Sequence, residues 1–277
     1  MDSGLYVVAT PIGNLADLAP RAVEVLRAAD LIACEDTRHS ARLFRAHDIA
    51  TPTIAYHDHS ERRALQRVGE CLDGGGRVAL VSDAGTPLIS DPGYRLVRHA
   101  QERGHPVRPV PGSCAAVAAL SVGGLPTDRF LFEGFLPARQ AARENRLAAL
   151  ANQGATLVFY EAPHRVAACL DSMTAVFGPD REAVLARELT KAFETVIRDT
   201  LAGLAARVEA DGDQRRGEIV LLVAGAPDLQ GDIPPDISAL LRRLAEEMPA
   251  KRACAVLAEH TGLRKNALYD HLLALKK

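Results

Sequence analysis

The 277-residue sequence has no tryptophan and only 4% aromatic residues. A broad aromatic platform for stacking flat ligands is therefore not expected. No apolar run approaches the ~20 residues a membrane helix needs; among the longest is Ile219 to Gly225. Nothing basic, and no long apolar stretch, precedes the strand-like run Leu5 to Ala9, so no secretory signal and no membrane partner are expected and a cytoplasmic location is. The five cysteines (Cys34, Cys71, Cys114, Cys169, Cys254) are scattered and form no Cys-x-x-Cys pair, which argues for reduced packing residues and against a zinc or redox site. Neither Gly-x-Gly-x-x-Gly nor Gly-x-x-x-x-Gly-Lys-Ser/Thr occurs, which disfavours a classical dehydrogenase, kinase or GTPase. Gly-x-Ser-x-Gly and His-Glu-x-x-His are also missing, so the usual hydrolase and zinc-protease readings lose support.

What is present is an α/β pattern. Hydrophobic residues make up 48% of the chain, ample for real cores. Short β-rich runs alternate with helix-length segments: Leu5 to Ala9, Leu31 to Cys34, Val78 to Ser82, Val107 to Val110, Thr156 to Tyr160, Val184 to Arg187 and Glu218 to Ala224. Several are apolar on both faces, as strands between helical layers are, so parallel or mixed sheets are expected. Val122-Gly123-Gly124-Leu125-Pro126-Thr127 breaks helix and strand alike. It suggests an N-terminal α/β domain over 1–122 and a second over 123–231.

From 232 to 277 the pattern is purely helical, with Leu240, Leu241, Leu244 and Met248 on one face and Leu268, Leu272 and Leu275 on another. Around Glu259-His260-Thr261-Gly262-Leu263 the spacing of Ala253, Ala258, Gly262 and Tyr269 suits a helix-turn-helix. Net charge is -2, but residues 238–277 hold eight basic and four acidic residues, against 25 and 31 in the rest. Either a polyanionic partner or a solvated helix face accounts for that tail, where Lys251, Arg252, Arg264 and Lys265 are available for phosphate.

Three strand-to-loop junctions are rich in Gly and Pro: Ala9-Thr10-Pro11-Ile12-Gly13-Asn14-Leu15, Ser82 to Gly93 and Pro109-Val110-Pro111-Gly112-Ser113. Ligands of open α/β sheets bind at such ends, and glycines let backbone approach them. Tight turns alone would also explain each one. Together with Ala33-Cys34-Glu35-Asp36-Thr37-Arg38-His39-Ser40, Tyr56-His57-Asp58-His59, Gly134-Phe135-Leu136-Pro137, Phe159-Tyr160-Glu161-Ala162-Pro163-His164-Arg165 and Arg187-Glu188-Leu189-Thr190-Lys191, the chain resembles the tetrapyrrole methylase superfamily. Within it, these segments look like the branch of 16S rRNA (cytidine-2'-O)-methyltransferases.

The resemblance implies two α/β domains with a cleft holding S-adenosylmethionine, a homodimer, no metal, and 16S rRNA or the small ribosomal subunit as partner. It places the cofactor against Pro11, Ile12, Gly13, Asp83, Gly85, Thr86, Pro87, Ile89, Gly112, Ser113, Cys114, Ala115, Tyr160 and Arg187. Asp83-Ala84-Gly85-Thr86-Pro87 stands where small-molecule relatives more often carry Gly-Asp-Pro. A ribose hydroxyl is a poor nucleophile, so a positioned base would help by roughly 10²- to 10⁴-fold. Asp36 and Glu161 are the first candidates, with His57, Asp58, Lys191 and Glu194 behind them, although Asp36 could equally cap the helix that follows. Arg38, Arg139, Arg143, Arg146, Arg165 and Lys191 are the candidate RNA contacts, and if helical Arg139, Arg143 and Arg146 form one basic stripe. A porphyrinoid methylase and a non-catalytic ribosome-assembly factor are the competing readings.

Overall fold

The computed structural model describes residues 1–57, 61–227, 233–261, 263 and 265–275. One compact unit comprises Met1–Ala148 with Thr156–Ala224, and a second comprises Ala149–Ala155 with Gly225–Lys277. Both α/β sheets belong to the first unit.

In its N-terminal part, β1 (Gly4–Val8), α1 (Pro20–Ala28), β2 (Leu31–Cys34), α2 (Thr37–Ala46), β3 (Thr53–Ala55), α3 (Glu61–Asp73), β4 (Arg77–Val81), α4 (Tyr94–Glu102) and β5 (Val107–Val110) follow in order. The strands form a five-stranded sheet, β3-β2-β4-β1-β5, and every pairing is parallel. Parallel strands are covered on both faces. Accordingly, Tyr6, Val8, Ile32 and Val81 pack with α1 and α2 residues, while Leu5, Ala33, Val78 and Leu80 pack with α3 and α4.

Helix α5 (Ala115–Gly123) ends at Gly124, whose φ of +68° supplies the left-handed cap. Val122 and Gly123 are thus helical, and the chain breaks one residue later than the sequence suggests. Then come β6 (Phe130–Phe135), α6 (Gln140–Leu150), β7 (Thr156–Glu161), α7 (Val166–Phe177), β8 (Glu182–Arg187), β9 (Thr195–Thr200), α8 (Leu201–Ala210) and β10 (Ile219–Val223). Their sheet runs β6-β7-β10-β8-β9. Only β6 and β7 pair in parallel; the other three pairings are antiparallel, so this sheet is mixed and mainly antiparallel. Its apolar face packs on α5 through Val158, Val184, Ala186, Val220 and Leu222.

The second unit carries α9 (Pro235–Glu247), α10 (Ala250–Thr261) and α11 (Lys265–Ala274). Leu241, Ala253, Cys254, Leu257, Leu268 and Leu272 form its core, with Ala258 and Tyr269 packed on it. Leu240 departs from the expected face and is 45% exposed. Gly262 and Arg264 lie outside the described residues.

Candidate active site

The three Gly/Pro-rich junctions converge at the carboxyl ends of β1, β4 and β5. Thr10 and Gly85 exchange both backbone hydrogen bonds, at 2.8 and 3.1 Å. The Thr10 hydroxyl donates to the Ser82 carbonyl at 3.3 Å, and the Thr86 hydroxyl donates to the Ser113 carbonyl at 2.9 Å. First loop is tied to second, and second to third.

Gly85 has φ +80°, and a Cβ on Gly112 would lie 3.0 Å from the Ala9 Cβ, so bare backbone is needed at both places. Leu88 and Ser90 also adopt left-handed φ values, +75° and +66°. Such residues cost on the order of 1–3 kcal/mol each and persist where the surroundings hold them. One such surround is Gly134, at a bulge in β6: a Cβ there would come within 3.0 Å of the Ser90 hydroxyl.

Below these loops lies a cavity of about 300 Å³. Ile12, Gly85, Thr86, Ile89, Cys114 and Ala115 form one side, and Tyr160, Ala186, Leu189, Ile219 and Val220 the other. The Tyr160 hydroxyl accepts a hydrogen bond from the Ala116 amide at 3.1 Å, and its ring meets the edges of Phe132 and Phe135 at centroid separations of 5.0 and 5.8 Å. Burial pushes its phenol up. Asp91 contributes a carboxylate to the wall, and burial raises it above the ordinary aspartate range.

A second chamber of about 550 Å³ adjoins it, lined by Pro11, Gly13, Arg38, His39, Arg42, Asp83 and Lys191 among others. Ile12, Ala84 and Glu218 line both. Across this common wall the Lys191 ammonium donates to Glu188 at 2.8 Å and Glu218 at 2.9 Å. A Cβ on Gly13 would meet the Lys191 side chain, so the lysine lies directly over the first loop.

Ile12, Gly85, Thr86, Ile89, Cys114, Ala115 and Tyr160 thus gather round one cavity, while Pro11, Gly13 and Asp83 face the neighbouring chamber. Pro87, Gly112 and Ser113 shape the loops without lining either. Arg187 departs from the expectation. Side chains alternate along a strand, and because Ala186 lines the cavity, Arg187 points to the opposite face of β8, where it is buried and donates to the Thr195 hydroxyl at 3.1 Å.

Of the two candidate bases, Asp36 caps α2, accepting from the Arg38 amide at 2.8 Å, and it lines neither space. That amide bond holds its carboxyl below the usual range. Glu161 reaches the cavity wall, but its side chain is 1% exposed and its carboxylate already takes the Ala162 amide at 2.8 Å and the Arg165 guanidinium at 3.1 Å. His57, Lys191 and Glu194 fare no better: only Lys191 borders a cavity, and Glu194 accepts from the Thr190 amide. Asp58 is outside the described residues.

The expected arginine stripe is broken. Arg143 faces inward at 5% exposure, donating to Ser172 Oγ at 3.0 Å and to the Ala138 and Ala168 carbonyls. Arg139 is exposed, whereas Arg146 is paired with Glu133 at 2.6 Å and Arg165 with Glu161. Asp91 and Glu218 were the wall carboxylates that sequence reasoning missed; Asp91 did lie in the Gly/Pro-rich second junction, but no spacing distinguished it.

Residues 4–205 match the profile of the tetrapyrrole (corrin/porphyrin) methylases. The chain belongs to the tetrapyrrole methylase family. Residues 231–276 match the RsmI C-terminal HTH domain. Among curated relatives, a ribosomal RNA small subunit methyltransferase I of Pseudomonas aeruginosa is 56% identical over 97% of this chain and 96% of its own length. Another, from Escherichia coli O157:H7, is 49% identical over 97% and 94%. Among solved structures, the cobalamin biosynthetic enzyme cobalt precorrin-4 methyltransferase shares the fold with a TM-score of 0.61 at 15% identity, over 79% of this chain and 94% of its own. A uroporphyrin-III C-methyltransferase from Thermus thermophilus, complexed with S-adenyl homocysteine, does so at 0.55 and 17%, over 80% and 97%.

Proposed function

We propose that this tetrapyrrole methylase transfers a methyl group from S-adenosylmethionine to the 2'-hydroxyl of a cytidine in 16S rRNA of the small ribosomal subunit. One observation carries the reading: an apolar cavity with bare backbone at Gly85 shares a wall with a larger chamber bearing Arg38, Arg42 and Lys191. The relatives that match along nearly their full length are small-subunit rRNA methyltransferases. Neither a porphyrinoid methylase nor a non-catalytic assembly factor accounts for that match together with the C-terminal domain.

The cavity suits this cofactor. Ile12, Leu189 and Val220 offer apolar walls, the left-handed turn at Gly85 keeps a side chain out of the space, and the half-buried Asp91 is a fitting neighbour for a cation. When bound, S-adenosylmethionine supplies a methyl group already activated on a sulfonium, with a neutral thioether as leaving group. The chain's own part is to hold both reactants in line, to exclude water from the apolar side and to accept the hydroxyl proton. Glu218, on the wall common to both spaces, is the best placed carboxylate for that proton. Exposed Lys251, Arg252 and Lys265 of α10 and α11 would meet rRNA phosphate, and a homodimer is proposed from the family resemblance.

The test is methylation of small subunits from a strain lacking this enzyme, using labelled S-adenosylmethionine and mass mapping of the product. Label on one cytidine ribose of 16S rRNA is expected. Label absent from every rRNA ribose refutes the reading.

A further inference from the structure

Resting on that reading, we infer that the 550 Å³ chamber is the seat of a single nucleotide extruded from the folded rRNA, with Arg42 and Arg38 of α2 holding its phosphates. Arg38 is the one α2 residue that the sequence offers as an RNA contact, and Arg42 enters only through this geometry.

The size comes first. The chamber falls within the ~300–1,000 Å³ range of small-ligand sites, and it is concave, whereas the 2'-hydroxyls of a paired RNA helix lie across a wide, shallow groove. For a ribose to reach the shared wall at Ile12, Ala84 and Glu218, the nucleotide has to leave its stack, as substrates of base-modifying enzymes do.

Charge comes second. The acids on the chamber wall are already occupied: Asp83 accepts the Asp36 amide at 3.1 Å, and Glu218 accepts Lys191 at 2.9 Å. Arg38 touches Asp36 only at 3.5 Å with its side chain 91% exposed, and Arg42 is exposed with no carboxylate partner among the described residues. Arg38 and Arg42 are thus the cations of this wall left most open to an anion. The two stand one helical turn apart on one face of α2, as two successive phosphates require, while the wall shared with the methyl-donor cavity carries Ile12 and Ala84 beside Glu218.

Two variants separate entry from seating. Arg38→Glu with Arg42→Glu should leave S-adenosylmethionine affinity unchanged by calorimetry but raise KM for the unmethylated small subunit, and should flatten the salt dependence of rRNA binding by about two counterions. The same charge change made as Arg62→Glu with Arg63→Glu at exposed positions of α3 is the control. Leu15→Trp, which fills part of the chamber, should leave subunit binding nearly unchanged and lower kcat by roughly 10²-fold, as a misplaced reacting group does. Equal KM and salt slopes in the α2 and α3 variants, or full kcat in a folded Leu15→Trp protein, overturn the inference while wild-type methylation stands. Absence of rRNA methylation by the wild type instead refutes the function on which it rests.

Discussion

Glu161 and Arg165 join β7 to α7 through a buried ion pair, and removing one partner should cost far more than removing both. The Glu161 side chain is 1% exposed, and the Arg165 side chain lies within 3.1 Å of its carboxylate while also donating to the Leu136 carbonyl. Arg165→Met keeps the aliphatic stem but leaves a buried carboxylate with only neutral donors, the Ala162 amide and the Cys169 thiol. Breaking a buried pair from one side costs about 3–5 kcal/mol, and losing the bond to Leu136 adds about 1 kcal/mol. The variant should therefore be destabilised by about 4–6 kcal/mol, a large part of the ~5–15 kcal/mol that an ordinary domain has. Glu161→Leu with Arg165→Met removes the charge as well and should recover at least half of the loss, since apolar replacement of a buried pair is often neutral. Urea unfolding of the full chain, followed by circular dichroism, measures both midpoints. A cost below about 1 kcal/mol for Arg165→Met, or a double variant no better than the single one, would show that the pair does not hold the β7–α7 junction and would return Glu161 to candidacy as a base.

Glu218→Gln should lower kcat by roughly 10²- to 10⁴-fold with cofactor affinity unchanged, as a lost proton acceptor does, whereas Asp36→Asn keeps a capping oxygen and should lose much less; turnover of the two variants side by side decides between them. Gly85→Val forces a branched side chain to φ +80° beside the cavity, so calorimetry should find S-adenosylmethionine binding abolished in a protein that circular dichroism still shows folded. Asp30 is held at about 2 by hydrogen bonds from the Arg77 side chain and amide. Its folded value is depressed, so its stabilisation is present above the unfolded aspartate range near 4 and is lost as pH falls toward 2; thermal melts should show Asp30→Asn less stable than wild type at pH 7 and the difference gone near pH 2. Truncation before α9 should leave cofactor binding intact and reduce both rRNA affinity and its salt slope, and equal slopes in the full and shortened chains would reject an RNA-binding role for the helical tail.

Seven strands were legible, six as runs of mostly apolar, β-prone residues and β5, Val-Arg-Pro-Val, as a pair of valines leading into a Gly/Pro-rich junction. The three that were not are β3, β6 and β9, and all lie at sheet edges. At three residues β3 is too short to set a period, β6 is interrupted by Glu133 and the bulge at Gly134, and β9 has only the adjacent pair Val196-Ile197 before Arg198 and Asp199. Polar residues blunt an edge against unwanted pairing, and they blunt its sequence signal equally. Missing β9 hid the β8–β9 hairpin, so the second sheet read as more parallel than it is. The arginines show a different limit. Spacing put Arg139, Arg143 and Arg146 on neighbouring turns, but it could not say that Arg143 turns inward to satisfy the Ala138 carbonyl ahead of α6 and the Ala168 carbonyl of α7, or that β8 presents Ala186 to the cavity and Arg187 away from it.

The site itself was legible where backbone makes it and illegible where side chains meet across the fold. Glycines and prolines announced the loops after β1, β4 and β5. Yet four non-glycine residues also hold left-handed φ values near the cavity: Leu88 and Ser90 on one side, Glu188 and Thr190 on the other. A sequence offers no sign of such strain, since glycine is the residue it would lead one to expect. Both pairs flank wall residues, Ile89 and Leu189 respectively, so the strained backbone aims an apolar side chain into the cavity from each side. Gly217 completes the second stretch: with φ +77° and no side chain, it admits the Glu188 carboxylate, which in turn holds Lys191 at the mouth of the chamber. Strain of this kind survives because the packing around it leaves no alternative, and here the packed neighbours are the groups that define where the two spaces meet.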